Sequence, residues 1–408
     1  MNKFLQEFHS RGYFYQCTSE KELEEVLNKS KIKAYIGFDC TAESLHVGSL
    51  LQIMCLRLLQ KHGHQPIVLL GGGTTRIGDP SGKDKTRQIL DEKTIEKNIK
   101  NIEKILKIFL TTDNKETSPI FVNNYDWLKN LNYIPFLRKI GKHFTINKML
   151  NFDSVKLRLE REQSLSYMEF NYMILQAYDY LELNNKYNCL LQIGGSDQWG
   201  NIVNGVDLIK RHSSKETFGL TTPLITLASG AKMGKTESGA IWLDKKLLTA
   251  YEYWQFWRNV DDRDLIKFLH MFTDIPVDVL KKKENENIND LKILLANNAT
   301  TMLHGEQESQ KCFEQAKKIF SGNSSDEGLP IIKIKKKDVS NKNISDLILV
   351  TKLESSKSEI KRIIKNHGIK INNIKIEDDL SFSKINFKEK NFFKLSIGKK
   401  KHYKIEIN

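Results

Sequence analysis

The chain has 408 residues, 39% hydrophobic and 28% charged, a composition that excludes a disordered protein and allows two or three folded domains. It has no run of about 18 apolar residues to form a membrane span, and its five scattered cysteines predict reduced thiols of a cytoplasmic protein, not a disulfide framework or metal site. Most of the net charge of +14 lies from Ile331 onward, where 20 Lys and Arg face 9 Asp and Glu; this predicts a nucleic-acid partner, unless the segment is only a solvated lysine-rich surface.

The first elements are an apolar strand, KAYIGF, a loop, and a buried helix over Leu50–Leu59. Because the N-terminus of a helix presents free N–H groups and a positive dipole end, His46, Gly48 and Ser49 at its first turn predict a phosphate site. Glycine at 48 lets a ligand approach the backbone, and Thr41 adds a hydroxyl upstream. The alternative is an ordinary serine cap beside a hydrogen-bonded histidine.

A second apolar strand, QPIVLLGG, runs into the glycine-rich segment GGGTTRIGDPSGK. This segment is not a phosphate loop, because only three residues separate Gly78 from Gly82, and Asp84 follows Lys83 where Ser or Thr is needed. Asp79, close to the strand end, is a candidate for holding a cationic group.

Two later segments carry further polar candidates. In the helix MEFNYMILQAYDYL, Tyr172, Gln176 and Asp179 share one face, which meets either a polar ligand or solvent. The strand that ends in LQIGGSDQWGN places Asp197 at a carboxyl end, where open parallel sheets bind ligands and acids hold ribose hydroxyls. An ordinary tight turn is the alternative for this second segment.

The last elements are a lysine loop, a helical segment and a basic tail. In AKMGKTESGAIWLD, Lys232 and Lys235 between glycines could close over a polyphosphate, although such loops are common at surfaces. From about Leu247 to Ala316 the pattern is helical, and Ser321–Pro330 is a polar, glycine-containing linker. The alternation of strands and helices before this point predicts a parallel α/β sheet, and the tail predicts a small α+β module.

In this order, the motifs resemble those of the bacterial tyrosyl-tRNA synthetases, a family of class I aminoacyl-tRNA synthetases. HVGS is similar to the first class I signature, KMGKT to the second (usually K-M-S-K-S), and YMILQAYDY and LQIGGSDQWGN to segments of the tyrosine branch. The basic tail resembles the small RNA-binding module that these enzymes share with a ribosomal protein. The resemblance covers essentially the whole chain.

The resemblance implies an α/β fold with four parts. These are a Rossmann-like parallel-sheet catalytic domain (1–230), a helical tRNA-contacting domain that starts with the mobile lysine loop (231–325), a linker (326–340) and a basic RNA-binding domain (341–408). It implies activation of L-tyrosine with ATP to tyrosyl-adenylate and pyrophosphate, followed by transfer of tyrosine to the 3′ end of tRNA(Tyr). Mg²⁺ would accompany ATP without a protein metal site, and two chains would form a homodimer.

The resemblance also implies a role for each matching position. For tyrosine these are Tyr35 and Asp179 at the phenol, Asp79, Tyr172 and Gln176 at the ammonium, Gln198 near the carboxylate, Gln192 in the second layer of the pocket, and Asp39 between amino acid and nucleotide. For ATP they are Thr41, His46, Gly48 and Ser49 at the phosphates, Gly195 and Asp197 at the adenosine, and Lys232, Lys235 and Thr236 over the departing pyrophosphate.

The sequence departs from the signatures at two positions. Ser49 replaces the second histidine of the first signature, and Gly234 replaces the serine of the second, which removes a hydroxyl from the loop. One alternative is a tryptophanyl-tRNA synthetase, which shares both signatures but is disfavoured by the polar helix face and the basic module. The other is a non-catalytic RNA-binding protein on a synthetase scaffold, which the retained histidine and loop lysines disfavour.

Overall fold

A computed structural model describes residues 1–81, 90–230, 233–236, 239–320, 331–335, 342–351, 353, 356–381, 392–398 and 401–407. The chain forms two compact units, Met1–Lys235 with Ala240–Ser309, and Thr236–Gly239 with Gln310–Asn408. Lys83, Lys232 and the predicted linker 321–330 lie outside the described residues. The four-part division of the chain stays a prediction.

The first unit is built around a six-stranded sheet. Its strands are Gln16–Cys17 (β1), Lys33–Asp39 (β2), Gln65–Gly71 (β3), Ile120–Asn123 (β4), Cys189–Gly195 (β5) and Phe218–Thr222 (β6). They lie in the order β1-β6-β5-β2-β3-β4, and every neighbouring pair is parallel except β1 with β6. Strands β3 and β6 are buried along almost their whole length, which explains the continuous apolar run Ile67–Leu70 in β3.

Helices connect these strands. They are Lys3–Ser10 (α1), Glu20–Lys29 (α2), Leu50–Lys61 (α3), Gly72–Thr75 (α4), Glu92–Phe109 (α5), Tyr125–Leu128 (α6), Tyr133–Lys139 (α7), Ile146–Leu150 (α8), Asp153–Glu160 (α9), Tyr167–Tyr187 (α10) and Trp199–Ser213 (α11). Helix α10 begins at a capping box, in which the side chains of Ser166 and Glu169 each accept a hydrogen bond from the other's backbone N–H. Parallel strands joined by helices confirm the predicted Rossmann-like α/β fold.

The rest of the described chain before the tail contains two short strands and then helices only. The strands are Lys235–Thr236 (β7) and Gly239–Ala240 (β8), and the helices are Ala250–Arg258 (α12), Asp262–Phe272 (α13), Val277–Lys283 (α14), Ile288–His304 (α15) and Glu306–Phe320 (α16). Trp254, Trp257 and Phe272 are buried, and the last two rings lie 5.1 Å apart. The aromatic segment YEYWQFWRNV is thus the core of a helical region, as predicted.

The described part of the tail is a small α+β module. Its strands are Ile331–Ile334 (β9), Ile369–Ile371 (β10), Ile374–Lys375 (β11), Phe392–Ile397 (β12) and Lys401–Ile407 (β13), in the order β11-β10-β12-β13-β9, and its helices are Ile344–Val350 (α17) and Lys357–Lys365 (α18). Its core is mainly isoleucine, with Phe393 and Leu395 fully buried. No helix among the described residues of the chain has the length and apolar character to span a membrane.

Candidate active site

A cavity of about 330 Å³ lies at the carboxyl ends of β2, β3 and β5. The chain proceeds from β2 to β3 on one side, whereas β5 and β6 lie on the other, so the strand order reverses between β2 and β5. Open parallel sheets bind ligands at this kind of reversal. Twelve of the predicted site residues line the cavity: Tyr35, Asp39, Gly48, Ser49, Asp79, Tyr172, Gln176, Asp179, Gln192, Gly195, Asp197 and Gln198.

The deep end of the cavity is lined by buried polar groups. The Tyr35 hydroxyl and the Gln192 Oε1 atom have no hydrogen-bond partner among the described residues. Asp179 accepts hydrogen bonds from Asn124 Nδ2 at 2.9 Å and from Trp127 Nε1 at 2.7 Å. Burial raises the pKa of Asp179 to about 7, although both hydrogen bonds oppose the shift. Unpaired buried polar atoms are costly, so this end suits a ligand that carries a hydroxyl group.

A hydrogen-bond network joins the deep end to the middle of the cavity. The Asp39 carboxylate accepts from the Tyr172 hydroxyl at 3.1 Å and from Thr74 Oγ1 at 2.8 Å. Asn124 donates to Thr74 Oγ1 at 3.0 Å as well as to Asp179. Burial, together with the nearby Asp39 charge, raises the pKa of Tyr172 well above its usual range, so its hydroxyl stays protonated. The network therefore fixes two carboxyl groups and one tyrosine relative to each other.

A second network surrounds Asp79. Its carboxylate accepts from the backbone N–H of Ser81 and from Gln198 Nε2, both at 2.9 Å. Asn201 Nδ2 lies 3.1 Å from the Oε1 atoms of both Gln176 and Gln198. Gln198 thus contacts Asp79 directly, and the buried Asn201 connects Gln176 to this pair.

The charge of the cavity favours a cationic ligand group. Asp39, Asp79 and Asp179 all line it, and within the described part of the chain no Lys, Arg or His does. Carboxylates gathered around a small cavity produce a negative potential that attracts a cation such as an ammonium group. The predicted face of α10 turns toward this cavity, so its polar residues are not a solvent stripe.

The first signature lies at the start of α3, at the rim of the cavity. A 3₁₀ turn, Val47–Ser49, precedes the helix, and His46 caps it by accepting a hydrogen bond from the Gly48 N–H at 3.0 Å. The His46 ring also packs edge-on against Trp242, with 6.2 Å between ring centroids. His46 and Thr41 do not line the cavity, and Thr41 is exposed. His46 therefore caps this turn, and its contact with phosphate stays a prediction.

Gly234 of the second signature lies against this turn. Its φ is +99°, and a Cβ atom there would stand 2.6 Å from His46 Nδ1 and 2.8 Å from the Gly48 backbone nitrogen. A glycine is required by both the backbone conformation and the close approach. The departure from serine thus has a structural reason.

The two lysines of the second signature have no described side chain. Lys232 lies outside the described residues, as do the side chains of Lys235 and Thr236, whose backbones form β7. Their roles over pyrophosphate stay predictions.

Four residues that were not predicted hold the others in place: Thr74, Asn124, Trp127 and Asn201. Asn124 immediately follows β4, so the rule that carboxyl ends of parallel strands converge could have found it. Asn201 lies within three residues of Gln198, in the GGSDQWGN segment already singled out. Trp127 had no comparable signal, because one buried tryptophan in a short helix is usually only part of a core.

Comparisons with known proteins agree with this geometry. Residues 27–321 match the family model of tRNA synthetases class I (W and Y). The chain is 71% identical over 408 residues to the tyrosine–tRNA ligase of Pelagibacter ubique (strain HTCC1062), with both chains fully covered. It is 52% identical over 413 residues to that of Wolbachia pipientis subsp. Culex pipiens (strain wPip), covering 100% of this chain and 98% of the relative. It also resembles the C-terminally truncated mitochondrial tyrosyl-tRNA synthetase of Aspergillus nidulans, with a TM-score of 0.70 and 28% identity over 78% of this chain and 95% of that one.

Proposed function

The chain belongs to the class I tRNA synthetases of the tryptophan and tyrosine type, and we propose that it activates L-tyrosine with ATP and transfers the tyrosine to tRNA(Tyr). The full-length relatives with 71% and 52% identity are tyrosine–tRNA ligases, which favours tyrosine over tryptophan. The observation that carries the substrate assignment is the Tyr35 hydroxyl, which has no partner in the described part of the chain and lies near the buried Asp179 carboxyl group.

A phenol hydroxyl would complete the deep end of the cavity. It donates to Asp179 and accepts from the Tyr35 hydroxyl, which has no other partner among the described residues. Phenylalanine would leave the buried Tyr35 hydroxyl without a partner among the described residues and would take one hydrogen-bond donor from Asp179. Sites that hydrogen-bond a substrate hydroxyl reject the analogue without it by about 10⁴–10⁵, the upper figure being that of tyrosyl-tRNA synthetases themselves. The indole N–H of tryptophan could donate to Asp179. It cannot accept a hydrogen bond, so the Tyr35 hydroxyl would have no acceptor on the ligand.

The α-ammonium group would bind at the negative middle of the cavity. Asp79, Tyr172 and Gln176 line it there, and the Tyr172 hydroxyl donates its hydrogen bond to Asp39, which leaves its oxygen lone pairs to accept from the ammonium. Gln198 would lie near the substrate carboxylate. The substrate would then be held at three points, with the carboxylate directed toward the start of α3.

Activation requires no nucleophilic side chain. A carboxylate oxygen of tyrosine attacks the α-phosphorus of ATP, a new O–P bond forms, and the bond from the α-phosphorus to the bridging oxygen breaks as pyrophosphate leaves. Positioning and charge stabilisation supply the catalysis in reactions of this kind. The residues proposed for this are Thr41, His46, Gly48 and Ser49 at the phosphates, Gly195 and Asp197 at the adenosine, and Lys232, Lys235 and Thr236 at the pyrophosphate.

Mg²⁺ would enter with ATP as part of the substrate. The described residues contain no group of three or more His, Cys, Asp or Glu that could hold a metal ion. The charge on the leaving pyrophosphate would therefore be balanced by the incoming ion and by the loop lysines.

Binding of tRNA is proposed for the basic tail. Helix α18 exposes four basic side chains, those of Lys357, Lys361, Arg362 and Lys365. Lys and Arg contacts to phosphates supply affinity that falls with salt. The chain is proposed to work in the cytoplasm, where the tRNA is available.

A second copy of the chain is the proposed partner for an exposed apolar surface. Tyr133, Ile134 and Tyr167 are 60%, 63% and 67% exposed, and an apolar cavity of about 460 Å³ adjoins the two tyrosines, whose hydroxyls are 3.0 Å apart. Clustered apolar side chains of this size mark interaction surfaces. Sedimentation should find a dimer for the unaltered chain and monomers for Ile134→Lys; a monomeric unaltered chain would contradict the homodimer.

The test of the proposed function is exchange of labelled pyrophosphate into ATP. Tyrosine should support exchange, whereas phenylalanine and tryptophan at the same concentration should not. Equal exchange with either of the other two amino acids would refute the assignment. Charging of tRNA(Tyr) with labelled tyrosine tests the second step.

A further inference from the structure

Asn201 lies in the first turn of α11, behind the cavity, with only 5% of its surface exposed. Its Nδ2 atom is 3.1 Å from Gln176 Oε1, 3.1 Å from Gln198 Oε1 and 3.4 Å from Ser81 Oγ. It does not line the cavity. One amide group therefore contacts both glutamines that would surround the substrate's α-amino and carboxylate groups.

We propose that Asn201 is a positioning residue that orients the Gln176 and Gln198 amides and so adapts the pocket to substrates with an α-ammonium group. The inference rests on the proposed function, because it assigns the middle of the cavity to the ammonium of tyrosine.

The direction of each amide follows from the chemistry of Nδ2. An amide NH₂ group only donates hydrogen bonds, so a glutamine must turn its oxygen toward it. If a glutamine instead turned its NH₂ group toward Asn201 Nδ2, two hydrogen-bond donors would face each other and no hydrogen bond could form. Gln198 therefore has its Nε2 on the opposite side, where it donates to Asp79 Oδ2 at 2.9 Å.

The result is a pocket in which acceptors face the ligand. Asp79 is held by Gln198 and by the Ser81 N–H, and the Tyr172 hydroxyl donates its hydrogen bond to Asp39, so its oxygen can only accept from the ligand. The Gln176 oxygen accepts from Asn201 with one lone pair, and its second lone pair could accept from the ligand. An ammonium group gains from all three, whereas a ligand with hydrogen in place of the amino group gains from none.

The first experiment compares two ligands in the intact protein. Equilibrium binding is measured for L-tyrosine and for 3-(4-hydroxyphenyl)propionate, which differs only in lacking the amino group. In Asn201→Ala we expect tyrosine binding to weaken about 10-fold, because two fixed amides become free to rotate, while binding of the propionate stays within about twofold. The ratio of the two affinities is the readout that a general structural role would not change.

Asn204 provides the matched control. It lies one turn further along α11, is 3% exposed, and its Nδ2 atom has no hydrogen-bond partner among the described residues. Asn204→Ala removes the same atoms from the same helix and should leave the affinity ratio unchanged. Asn201→Ser keeps a hydroxyl donor and should fall between the unaltered protein and Asn201→Ala; it is also the variant to use if the alanine variant does not fold.

A double-mutant cycle tests the route of the effect. If Asn201 acts through Gln176 and Gln198, then Asn201→Ala should weaken tyrosine binding much less in a Gln176→Ala, Gln198→Ala background than in the unaltered protein. Equal loss of affinity for both ligands, or full additivity in the cycle, would overturn the positioning role. Failure of the unaltered protein to bind tyrosine would instead overturn the proposed function, so the two failures are distinguishable.

Discussion

Restoring the usual serine of the second signature should impair this protein. In Gly234→Ser, the backbone at φ +99° becomes strained, and the new Cβ atom would stand 2.6 Å from His46 Nδ1 and 2.8 Å from the Gly48 nitrogen. A non-glycine residue in such a conformation costs about 1–3 kcal/mol, and forced overpacking costs a further 1–3 kcal/mol or so. The Gly48 nitrogen belongs to the backbone of the turn before α3 and cannot move aside freely.

This strain should appear in adenylate formation and not in tyrosine binding. Together these two costs come to about 2–6 kcal/mol, and a loss of that size from the transition state corresponds to a rate lower by roughly 30-fold to 10⁴-fold. Stopped-flow measurement of adenylate formation gives the rate, and equilibrium binding gives the tyrosine affinity. Gly230→Ser is the matched control, because Gly230 has φ +82° and no atom of the residues that the structure describes lies within 4 Å of its added Cβ. A Gly234→Ser protein as fast as the Gly230→Ser control would refute the close-approach argument.

Three further predictions concern charge. Burial raises the pKa of Asp179 from 3.8 to about 7, so between these pH values the folded protein keeps a proton there that the unfolded chain loses. The free energy of unfolding should therefore fall by up to about 4 kcal/mol from pH 4 to pH 7. Urea titrations measure this fall, and Asp179→Asn should not show it. Lys235→Ala should slow adenylate formation by about 10²-fold with little change in tyrosine affinity, if the ammonium acts on the transition-state phosphates; weakened tyrosine binding at an unchanged rate would contradict it. Truncation near Gly328 should leave pyrophosphate exchange near normal but should reduce both tRNA charging and the dependence of charging on salt. The reason is that the segment from Ile331 onward, with its 20 Lys and Arg, is lost. Intact charging would show that the tail is only a solvated surface.

The sheet and much of the pocket were predictable because parallel strands bring their carboxyl ends together. Asp39 ends β2 and Gly195 ends β5, so two segments more than 150 residues apart in sequence had to meet at one edge once both strands were recognised. The same rule applies to Asn124 after β4, which was missed because its partner, Asp179, is 55 residues away on a helix. The rule that parallel strands end at one edge of a sheet predicts which residues lie at that edge, but it does not predict which of them hydrogen-bond to each other.

Spacing alone could not decide what the polar face of α10 meets. Tyr172, Gln176 and Asp179 fall on one side of a helix whether that side contacts water or a ligand. The answer depends on residues remote in sequence: Tyr172 bonds to Asp39, 133 residues earlier, and Asp179 bonds to Trp127, 52 residues earlier.

Those remote contacts also determine the chemistry of Asp179. The same carboxyl group on a solvent face would ionise near its ordinary pKa of 3.8, whereas burial raises it to about 7. A group that can exist in either state near neutral pH can donate to or accept from a phenol, while the unpaired Tyr35 hydroxyl can take the complementary role. Recognition of the substrate hydroxyl therefore depends on the packing between β2, α6 and α10, which the spacing of residues within α10 does not show.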